Sequence, residues 1–458
     1  MAITRRTLVR GLGMGVLGAG ALSGCGDGEG IRGRRGRRRA TTTAPTAGAL
    51  EEPETPLVIG QIGASYGRAA PFEKSVAVAI SEAAIDVNDR WDGLFGQEVA
   101  LHDRHVMSEA GEDLSDVIAG FADEGVTCVI TSIDEEALVA AMPHLVEHEM
   151  AVIDVFTSGM QLRSAEVHTA NLLARLSPND RTIAALYEEA AWSSSDRGGP
   201  AGTVAFVSQD TMQGRGLLHQ ITQLLNPKDG RVLSEQFYPV GDIGNVGERV
   251  SAVLETPPAL LVVNGGPEAG PFLSALREAT LDEDGRPAVE FPIRLGPAAT
   301  LDYSQIAAGD SLVAESLAGA TGYEPGGEIT VEHENMMLNR DAGFLTSGYA
   351  YSQQAYDAFT LACLAAQDAL AVDGPAIASS LPRVLTGSEE CTDYGLCRGA
   401  LQTALEAQET TTIAYVGRTG AVELGPQADL RTGELREYSW SEANVLEAGT
   451  AKNVEDPV

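Results

Sequence analysis

The stretch VTCVITSIDEEALVAAMPHLVEHEMAVIDVF at positions 126–156 decides the fold. It begins and ends with short apolar runs, at 126–132 and 151–156, which have the length and β-branched content of buried strands. Between these runs, residues 135–148 repeat apolar side chains at helical spacing. A strand, a helix and a second strand in this order predict part of a parallel sheet that is covered by helices.

The same alternation continues through most of the chain. Further strands are predicted at 57–63, 98–103, 203–208, 231–237, 259–264 and 293–296, and further helices at 72–87, 113–123, 217–225, 246–254 and 272–279. A break at 171–178, before a helix that either Ser177 or Asn179 caps, separates two such sheets. We therefore predict an α/β fold with two doubly wound parallel-sheet lobes.

Length and charge narrow the classes of function. The chain has 458 residues, 44% of them hydrophobic, which is too long for one compact core. Residues 1–50 hold nine arginines and two acids, so residues 51–458 carry 22 basic and 63 acidic groups and a net charge of −41. A body this acidic repels phosphate, so we expect no nucleic-acid partner. Beyond residue 50 no apolar run approaches the roughly 20 residues of a membrane helix.

The N-terminus has the pattern of an export segment. Residues 1–25 combine Arg5 and Arg6 with a short apolar stretch that ends at Cys25. TRRTLVR resembles a twin-arginine signal, and LSGC at 22–25 resembles a lipobox, in which the Cys25 thiol is acylated. A GxGxxG match at 13–18 is not preceded by a strand, so it does not indicate a dinucleotide site.

Residues 26–56 are rich in Arg, Thr and Pro and are expected to form a disordered tether. The arginines at 32–39 are either a solvated linker or a contact with anionic lipid head groups. The predicted location is therefore outside the cytoplasm, with the chain bound to the membrane through its lipid anchor only.

The other four cysteines divide into two kinds. Cys391 and Cys397 flank a turn-like loop, and in an oxidising envelope they are expected to form a disulfide. Cys128 lies in an apolar strand and Cys363 in a predicted helix at 349–370, so both are expected in the core.

Two motifs in the sequence resemble catalytic or metal-binding sites. GASYG at 63–67 matches the GxSxG nucleophile elbow around Ser65, but four residues separate it from the next helix, and it follows the first strand of the body. His144 and His148 have the spacing of metal ligands on a helix, yet neither a third ligand nor HExxH accompanies them. We therefore predict no catalytic residues, no metal and no cofactor.

Ligands of parallel sheets bind beyond the carboxyl ends of the strands. This rule points to the loops at 63–71, 132–136, 156–160, 208–214 and 264–267. Two facing sheets would place these loops on both sides of one cleft.

The order of segments resembles the type I periplasmic binding proteins of the branched-chain amino acid (leucine/isoleucine/valine-binding) group, in lipoprotein form. The similarity spans about residues 57–440. It is carried by VIGQIGASYG (58–67), AISEAAIDVN (79–88), the opening stretch, TVAFVSQDTMQGRGLL (203–218), LLVVNGGPEAGPFLSALREA (260–279) and IRLGPAAT (293–300). The loop ECTDYGLC (390–397) and YVGRTGAVEL (415–424) are also similar to members of this group.

The resemblance implies two lobes joined by a three-crossing hinge. Lobe one would comprise 57–174 plus 323–427, and lobe two 175–322 plus 428–440, leaving a loose tail at 441–458. It also implies a monomer that captures a small polar solute, an amino acid or related amide or amine, and delivers it to an ABC permease in the cytoplasmic membrane. The alternatives are a ligand-sensing receptor module of the same fold and, less favoured, a secreted GxSxG hydrolase.

The family's ligand contacts carry over only in part. Ser158 and the aromatic lid residue Phe72 match the family, whereas Glu135, Gln213, Gly265 and Ala298 stand where the family has other chemistry. The candidate ligand-binding residues are Tyr66, Phe72, Ser132, Asp134, Glu135, Phe156, Thr157, Ser158, Gln213, Gly265 and Ala298.

The sequence leaves two interpretations of Glu135 open. As a relocated carboxylate at a helix N-terminus it would face a cationic or amide-bearing ligand. As an ordinary first-turn acid it would point to solvent.

Overall fold

The structure, a computed structural model, describes residues 52–193, 196–305, 312–409 and 411–457. The predicted export segment, Cys25 and the tether up to residue 51 lie outside the described residues. The described chain forms two α/β lobes, each built on its own sheet. The predicted fold class is confirmed.

In the described residues the first sheet has six strands, which pair only in parallel. They are β1 (Val58–Ala64), β2 (Ala100–Leu101), β3 (His105–Met107), β4 (Cys128–Ser132), β5 (Ala151–Asp154) and β6 (Leu173–Arg175). Every residue of β4 and β5 is buried, because helices cover both faces of the sheet. These strands therefore have continuous apolar runs rather than alternating ones.

The helices of the first lobe come from two distant parts of the chain. They are α1 (Glu73–Ile85), α2 (Ser115–Asp123), α3 (Glu135–Glu147), α8 (Val331–Arg340), α9 (Phe344–Ser347), α10 (Ser352–Ala369), α11 (Gly374–Ser380) and α12 (Tyr394–Ala407). The first sixteen residues of α10 are buried, and the helix packs on α1, β4 and β5. The late segment thus completes the core that the early segment begins.

The second sheet has eight strands within the described chain. They are β7 (Thr203–Gln209), β8 (Arg231–Tyr238), β9 (Leu260–Asn264), β10 (Ile293–Leu295), β11 (Ala320–Pro325), β15 (Glu423–Leu424), β16 (Leu430–Trp440) and β17 (Leu446–Glu455). Strands β7 to β11 pair in parallel, whereas β15, β16 and β17 pair antiparallel. Separate apolar clusters lie on its two faces, as expected for a doubly wound sheet.

The helices of the second lobe are α4 (Asp180–Ala191), α5 (Met212–Leu225), α6 (Val246–Leu254) and α7 (Gly270–Ala279). Of the two predicted caps of α4, Asn179 is the one that acts: its side chain accepts hydrogen bonds from the backbone N–H groups of Arg181 and Thr182. Helix α5 begins at Met212, five residues before the predicted start, because Thr211 caps it.

A small third sheet joins β12 (Glu389–Cys391), β13 (Ile413–Gly417) and β14 (Gly420–Ala421). Cys391 and Cys397 form the predicted disulfide, with Cα atoms 5.3 Å apart. Cys128 and Cys363 are free and buried, as predicted, and burial raises the pKa of the Cys128 thiol to about 12. A thiol in this environment is not reactive.

Two predictions about the C-terminal part need correction. The expected loose tail at 441–458 is wrong, since β17 pairs with β16 from Leu446 to Glu455. Most of β17 is exposed, so the strand lacks the apolar alternation by which sequence reveals strands. The third crossing also comes slightly earlier than predicted, because β15 at 423–424 already pairs in the second sheet. The first two crossings come slightly later than predicted, because β6 extends to Arg175 in the first sheet and β11 extends to Pro325 in the second.

Among the described residues, no single helix is long and apolar enough to cross a membrane. Helix α10 and the segment Gly374–Leu385 pass that test only as a pair, with a bend of 100° between them. The burial of α10 in the first lobe accounts for its apolar character.

Candidate functional site

The loops that follow the strands of both sheets meet in one cleft. On the first lobe, Glu136 lies in the first turn of α3, directly after β4, and its carboxylate accepts a hydrogen bond from the backbone N–H of Met212 at the start of α5. Ser158, after β5, donates to the Asp180 carboxylate at the start of α4, with 2.7 Å between oxygens. Direct contacts therefore hold the two lobes together across the cleft.

One side of the cleft contains a cavity of about 430 Å³, which we call the acid-lined cavity. Its polar lining comes from both lobes: Tyr66, Glu112, Asp113, Asp134, Glu136, Asp210 and Thr211. Burial, with the negative charges of Asp134 and Glu136, raises the pKa of the Tyr66 hydroxyl to about 12. The predicted site residue Tyr66 therefore places a neutral hydroxyl group among the carboxylates of this cavity.

The other side contains a cavity of about 300 Å³, which we call the aromatic cavity. Phe72, Phe344, Tyr349 and Tyr438 contribute its rings, and its charged lining residues are Asp302, Glu324, Glu334 and Arg436. Burial raises the pKa of Glu324 to about 7.

Between the two cavities, aromatic side chains fill the centre of the cleft. The ring centroids of Phe72 and Phe156 lie 4.9 and 5.0 Å from that of Tyr351. The Arg68 guanidinium lies 5.5 Å from the centroid of Phe156 and forms an ion pair with Asp134. Arg68 is only 4% exposed, so the ion pair with Asp134 compensates a buried positive charge. Phe72 is therefore a packing residue of the closed cleft as well as a wall of the aromatic cavity.

Ser132 lies deeper, at the end of β4. Its hydroxyl accepts a hydrogen bond of 2.6 Å from Arg104, which also binds Glu73. Thr157 is fully buried, and its hydroxyl and backbone N–H both donate to Asp154. These contacts fix the loop backbone, so neither side chain presents a free group to the cleft.

The structure contradicts the solvent-facing interpretation of Glu135. The residue is 1% exposed, and its Oε1 accepts hydrogen bonds from the backbone N–H groups of Gln161 and Leu162, at 2.9 and 3.2 Å. The reason is the 161–163 turn, which folds over the N-terminus of α3 and encloses the carboxylate. Burial, with the nearby charge of Asp180, raises the pKa of Glu135 to about 7.

Gln213 links Asp180 and Asn264 in a buried polar network of the second lobe. Its Nε2 donates to Asp180 at 2.8 Å, and its Oε1 accepts from Asn264 at 2.9 Å. Ser158 binds the same oxygen of Asp180 from the first lobe. The predicted residues Ser158 and Gln213 thus both bind Asp180, which is not among the predicted site residues.

Gly265 and Ala298 do not bring charge to the cleft. A Cβ atom at Gly265 would lie 1.9 Å from the Tyr238 hydroxyl, so that hydroxyl takes the space of a side chain. Ala298 is buried and belongs to the apolar cluster of the first lobe, although it follows β10 of the second sheet.

Three cleft residues, Arg68, Asp180 and Tyr351, are not among the residues predicted from the sequence. Arg68 lies in the predicted loop 63–71, and Asp180 directly follows the predicted helix cap Asn179. Their positions in the sequence were therefore enough to suggest both as cleft residues. Tyr351 offered no such indication, because it precedes α10 far along the chain and reaches the cleft only through tertiary packing.

The nucleophile-elbow hypothesis gains no support from Ser65. Its hydroxyl donates to the backbone carbonyl of Met107 at 3.1 Å, and a 3₁₀ segment at Gly67–Phe72 follows instead of an α-helix. In the described part of the chain, no cluster of three or more His, Cys, Asp or Glu side chains could hold a metal ion.

Comparison with known proteins gives a match in structure only. No family model matches the sequence, and none of the curated proteins matches it. The structure is similar to the branched-chain amino acid transporter substrate-binding protein LivJ of Streptococcus pneumoniae, solved with isoleucine, at a TM-score of 0.63 and 13% identity, covering 88% of this chain and 100% of that one. The structure is also similar to the leucine-binding protein LivK of Thermotoga maritima, at a TM-score of 0.63 and 14% identity, covering 88% of this chain and 99% of that one.

A solute-binding protein of an ABC transporter from Rhodopseudomonas palustris, solved with 3,4-dihydroxybenzoic acid, has a TM-score of 0.61 and 14% identity, covering 88% of this chain and 98% of that one. At these identities the likeness shows the fold. The chain has the two-lobed fold of the type I periplasmic binding proteins, and these structural neighbours are substrate-binding proteins of transporters rather than enzymes.

Proposed function

We propose that this protein is a lipid-anchored, extracytoplasmic solute-binding protein. It captures a small polar solute, an amino acid or related amide or amine, between its lobes and delivers it to an ABC importer. The observation that carries the proposal is the cleft itself, where loops after parallel strands of the two sheets bring polar side chains from both lobes together. Hinge closure around a solute is the working motion of such a two-lobed fold.

The surroundings of the cleft support a polar rather than a purely apolar solute. Carboxylates and hydroxyls line the acid-lined cavity, and aromatic rings separate it from the aromatic cavity. The α-amino-acid contacts of the branched-chain group are largely replaced, so the native solute need not be leucine or isoleucine.

The test is a thermal-shift screen of the purified protein, without its export segment, against amino acids, short amides, polyamines and sugars. A solute that binds only the native state raises the melting temperature by mass action. Small-angle scattering with and without each positive solute then reports whether the lobes close. A melting temperature that no solute in the panel raises would contradict amino-acid or amine import.

The importer and the anchor have separate tests. Co-purification with a permease, and loss of solute uptake on deletion, support import, whereas a signalling response without uptake supports the receptor alternative. Replacing Cys25 by Ser should release the protein from the membrane fraction. A variant that stays in that fraction and still incorporates labelled fatty acid would refute the proposed lipid attachment.

A further inference from the structure

One short loop of the second lobe packs against the apolar cores of both lobes. The loop, residues 296–301, follows β10, and we call it the bridging loop. Ala299 belongs to an apolar cluster of the second lobe, whereas its neighbour Ala298 belongs to the apolar cluster of the first lobe. Leu301 is partly buried and packs against both clusters. The bridging loop therefore joins the two cores through apolar contacts.

Hydrogen bonds fix the bridging loop to the second lobe. The hydroxyl of Tyr303, a fully buried residue, donates to the backbone carbonyl of Ala299 at 3.0 Å. The indole N–H of Trp440 donates to the backbone carbonyl of Leu301 at 2.9 Å. Tyr303 and Trp440 are themselves members of an apolar cluster of the second lobe. The bridging loop must therefore move with the second lobe when the hinge opens.

On the first lobe, the bridging loop meets the 3₁₀ segment Gly67–Phe72. The 3₁₀ turn Pro297–Ala299 of the bridging loop contacts this segment. The Ser75 hydroxyl donates to the backbone carbonyl of Phe72 at 2.9 Å, and the buried Phe72 ring packs against that of Tyr351. The segment is thus held by its own lobe, so separation of the lobes would break its contact with the bridging loop.

Other contacts between the two lobes lie beside the bridging loop. A Cβ atom at Gly67 would lie 3.5 Å from the side chain of Val240, which follows β8 of the second sheet. The Glu136 carboxylate accepts a hydrogen bond from the backbone N–H of Met212. The first lobe therefore touches the second at the bridging loop, at Val240 and at the start of α5, and each of these contacts joins one part of the chain to another.

A hinge protein populates the conformation whose contacts are most favourable, and a solute shifts that balance only by binding one conformation better. Closure buries Ala298 and one side of Leu301 against the apolar cluster of the first lobe, and burial of apolar surface is favourable. We infer that the bridging loop is a latch that holds the lobes closed in solution before any solute binds. The solute then enters through a minor open population, which lowers its apparent affinity and its association rate. This inference goes beyond the proposed function and holds whichever solute the cleft takes.

The variants Leu301→Asp and Ala298→Asp test the latch, since each places a charge in the apolar contact between the lobes. Leu312→Asp is the matched control, because Leu312 is also a partly buried leucine and its described apolar contacts are with a cluster of the second lobe. Small-angle scattering of each protein is measured without any solute. Hydrogen exchange is followed in the peptide that contains Gly67–Phe72, on the lobe that carries neither substitution.

The wild type and Leu312→Asp should have the radius of gyration of the closed structure. In Leu301→Asp and Ala298→Asp the radius of gyration should be larger, with an unchanged far-ultraviolet circular dichroism spectrum. Hydrogen exchange in Gly67–Phe72 should become at least tenfold faster in both bridging-loop variants, because opening removes the cover that the second lobe provides. A response of the first lobe to a change in the second separates opening of the hinge from local loosening of the loop.

A wild type that is as extended as Leu301→Asp without solute would overturn the inference, as would equal hydrogen exchange in Gly67–Phe72 of all four proteins. Should the two variants fail to fold, the wild type still decides, since a radius of gyration larger than that of the closed structure rejects the latch. A solute that raises the melting temperature, together with unchanged scattering in Leu301→Asp, would reject the latch and leave the proposed function intact. Opened variants, together with a panel in which no solute raises the melting temperature, would support the latch and contradict the proposed function.

Discussion

The ion pair between Arg175 and Asp429 gives the strongest prediction about stability. Arg175 ends β6 of the first sheet and is 1% exposed, and Asp429 precedes β16 of the second sheet. Nε and one NH₂ group of Arg175 bind the two Asp429 oxygens at 2.7 and 2.6 Å. Arg163 adds a further bond of 2.6 Å to the same carboxylate. One carboxylate thus compensates two largely buried guanidinium groups at a crossing between the lobes.

Replacing Asp429 by Asn should therefore lower the free energy of unfolding by about 3–5 kcal/mol, the usual cost of leaving a buried charge unpaired. The pKa of Asp429 points the same way: the two arginines lower it to about 2 from an ordinary 3.8, which corresponds to about 2 kcal/mol. Because this pKa is depressed, that stabilisation is present above about pH 4 and is lost as the pH falls through about 2.

The assay is urea unfolding at pH 7, followed by circular dichroism, with the free energy obtained by linear extrapolation. Asp284→Asn is the matched control, since Asp284 and its partner Arg286 are 73% and 76% exposed and such pairs contribute little. A loss below about 1 kcal/mol in Asp429→Asn, or a loss equal to that of Asp284→Asn, would refute the reasoning from burial.

Three further predictions concern the disulfide, a crowded glycine and pH. Replacing Cys391 and Cys397 together by Ser should cost about 2 kcal/mol, because their sequence separation of 6 closes a short loop; reductant should then have no further effect on the variant's melting. Gly265→Ala should cost about 1–3 kcal/mol through the clash with the Tyr238 hydroxyl, and a Gly265→Ala/Tyr238→Phe double variant that recovers none of it would contradict that cause. The pKa of Glu135 is raised in the folded state, so its ionisation should lower the free energy of unfolding by about 3 kcal/mol as the pH rises from about 4.5 to about 7. If the free energy of unfolding of Glu135→Gln has the same pH dependence as that of the wild type, another group is responsible.

The sequence by itself determined the architecture. Apolar runs such as 128–132 and 151–154 have the lengths of buried strands, and the helices between them have helical periodicity, so local pattern was enough to predict two parallel-sheet lobes. The cleft loops were also predictable, because parallel strands present their carboxyl ends at one edge. The edge strand β17 escaped prediction, since an exposed strand needs no apolar alternation.

Only the tertiary structure decided what the cleft side chains do. In the sequence, Glu135 has the position of an ordinary acidic residue in the first turn of a helix. It is buried because the turn at Gln161–Arg163, far along the chain, folds over it. Asp180 becomes a cleft residue because Ser158 of the other lobe reaches it. Such contacts join residues far apart in the chain, and their charges interact strongly only after burial has removed water. Local pattern therefore determines where the cleft lies, whereas long-range packing determines which contacts its carboxylates make.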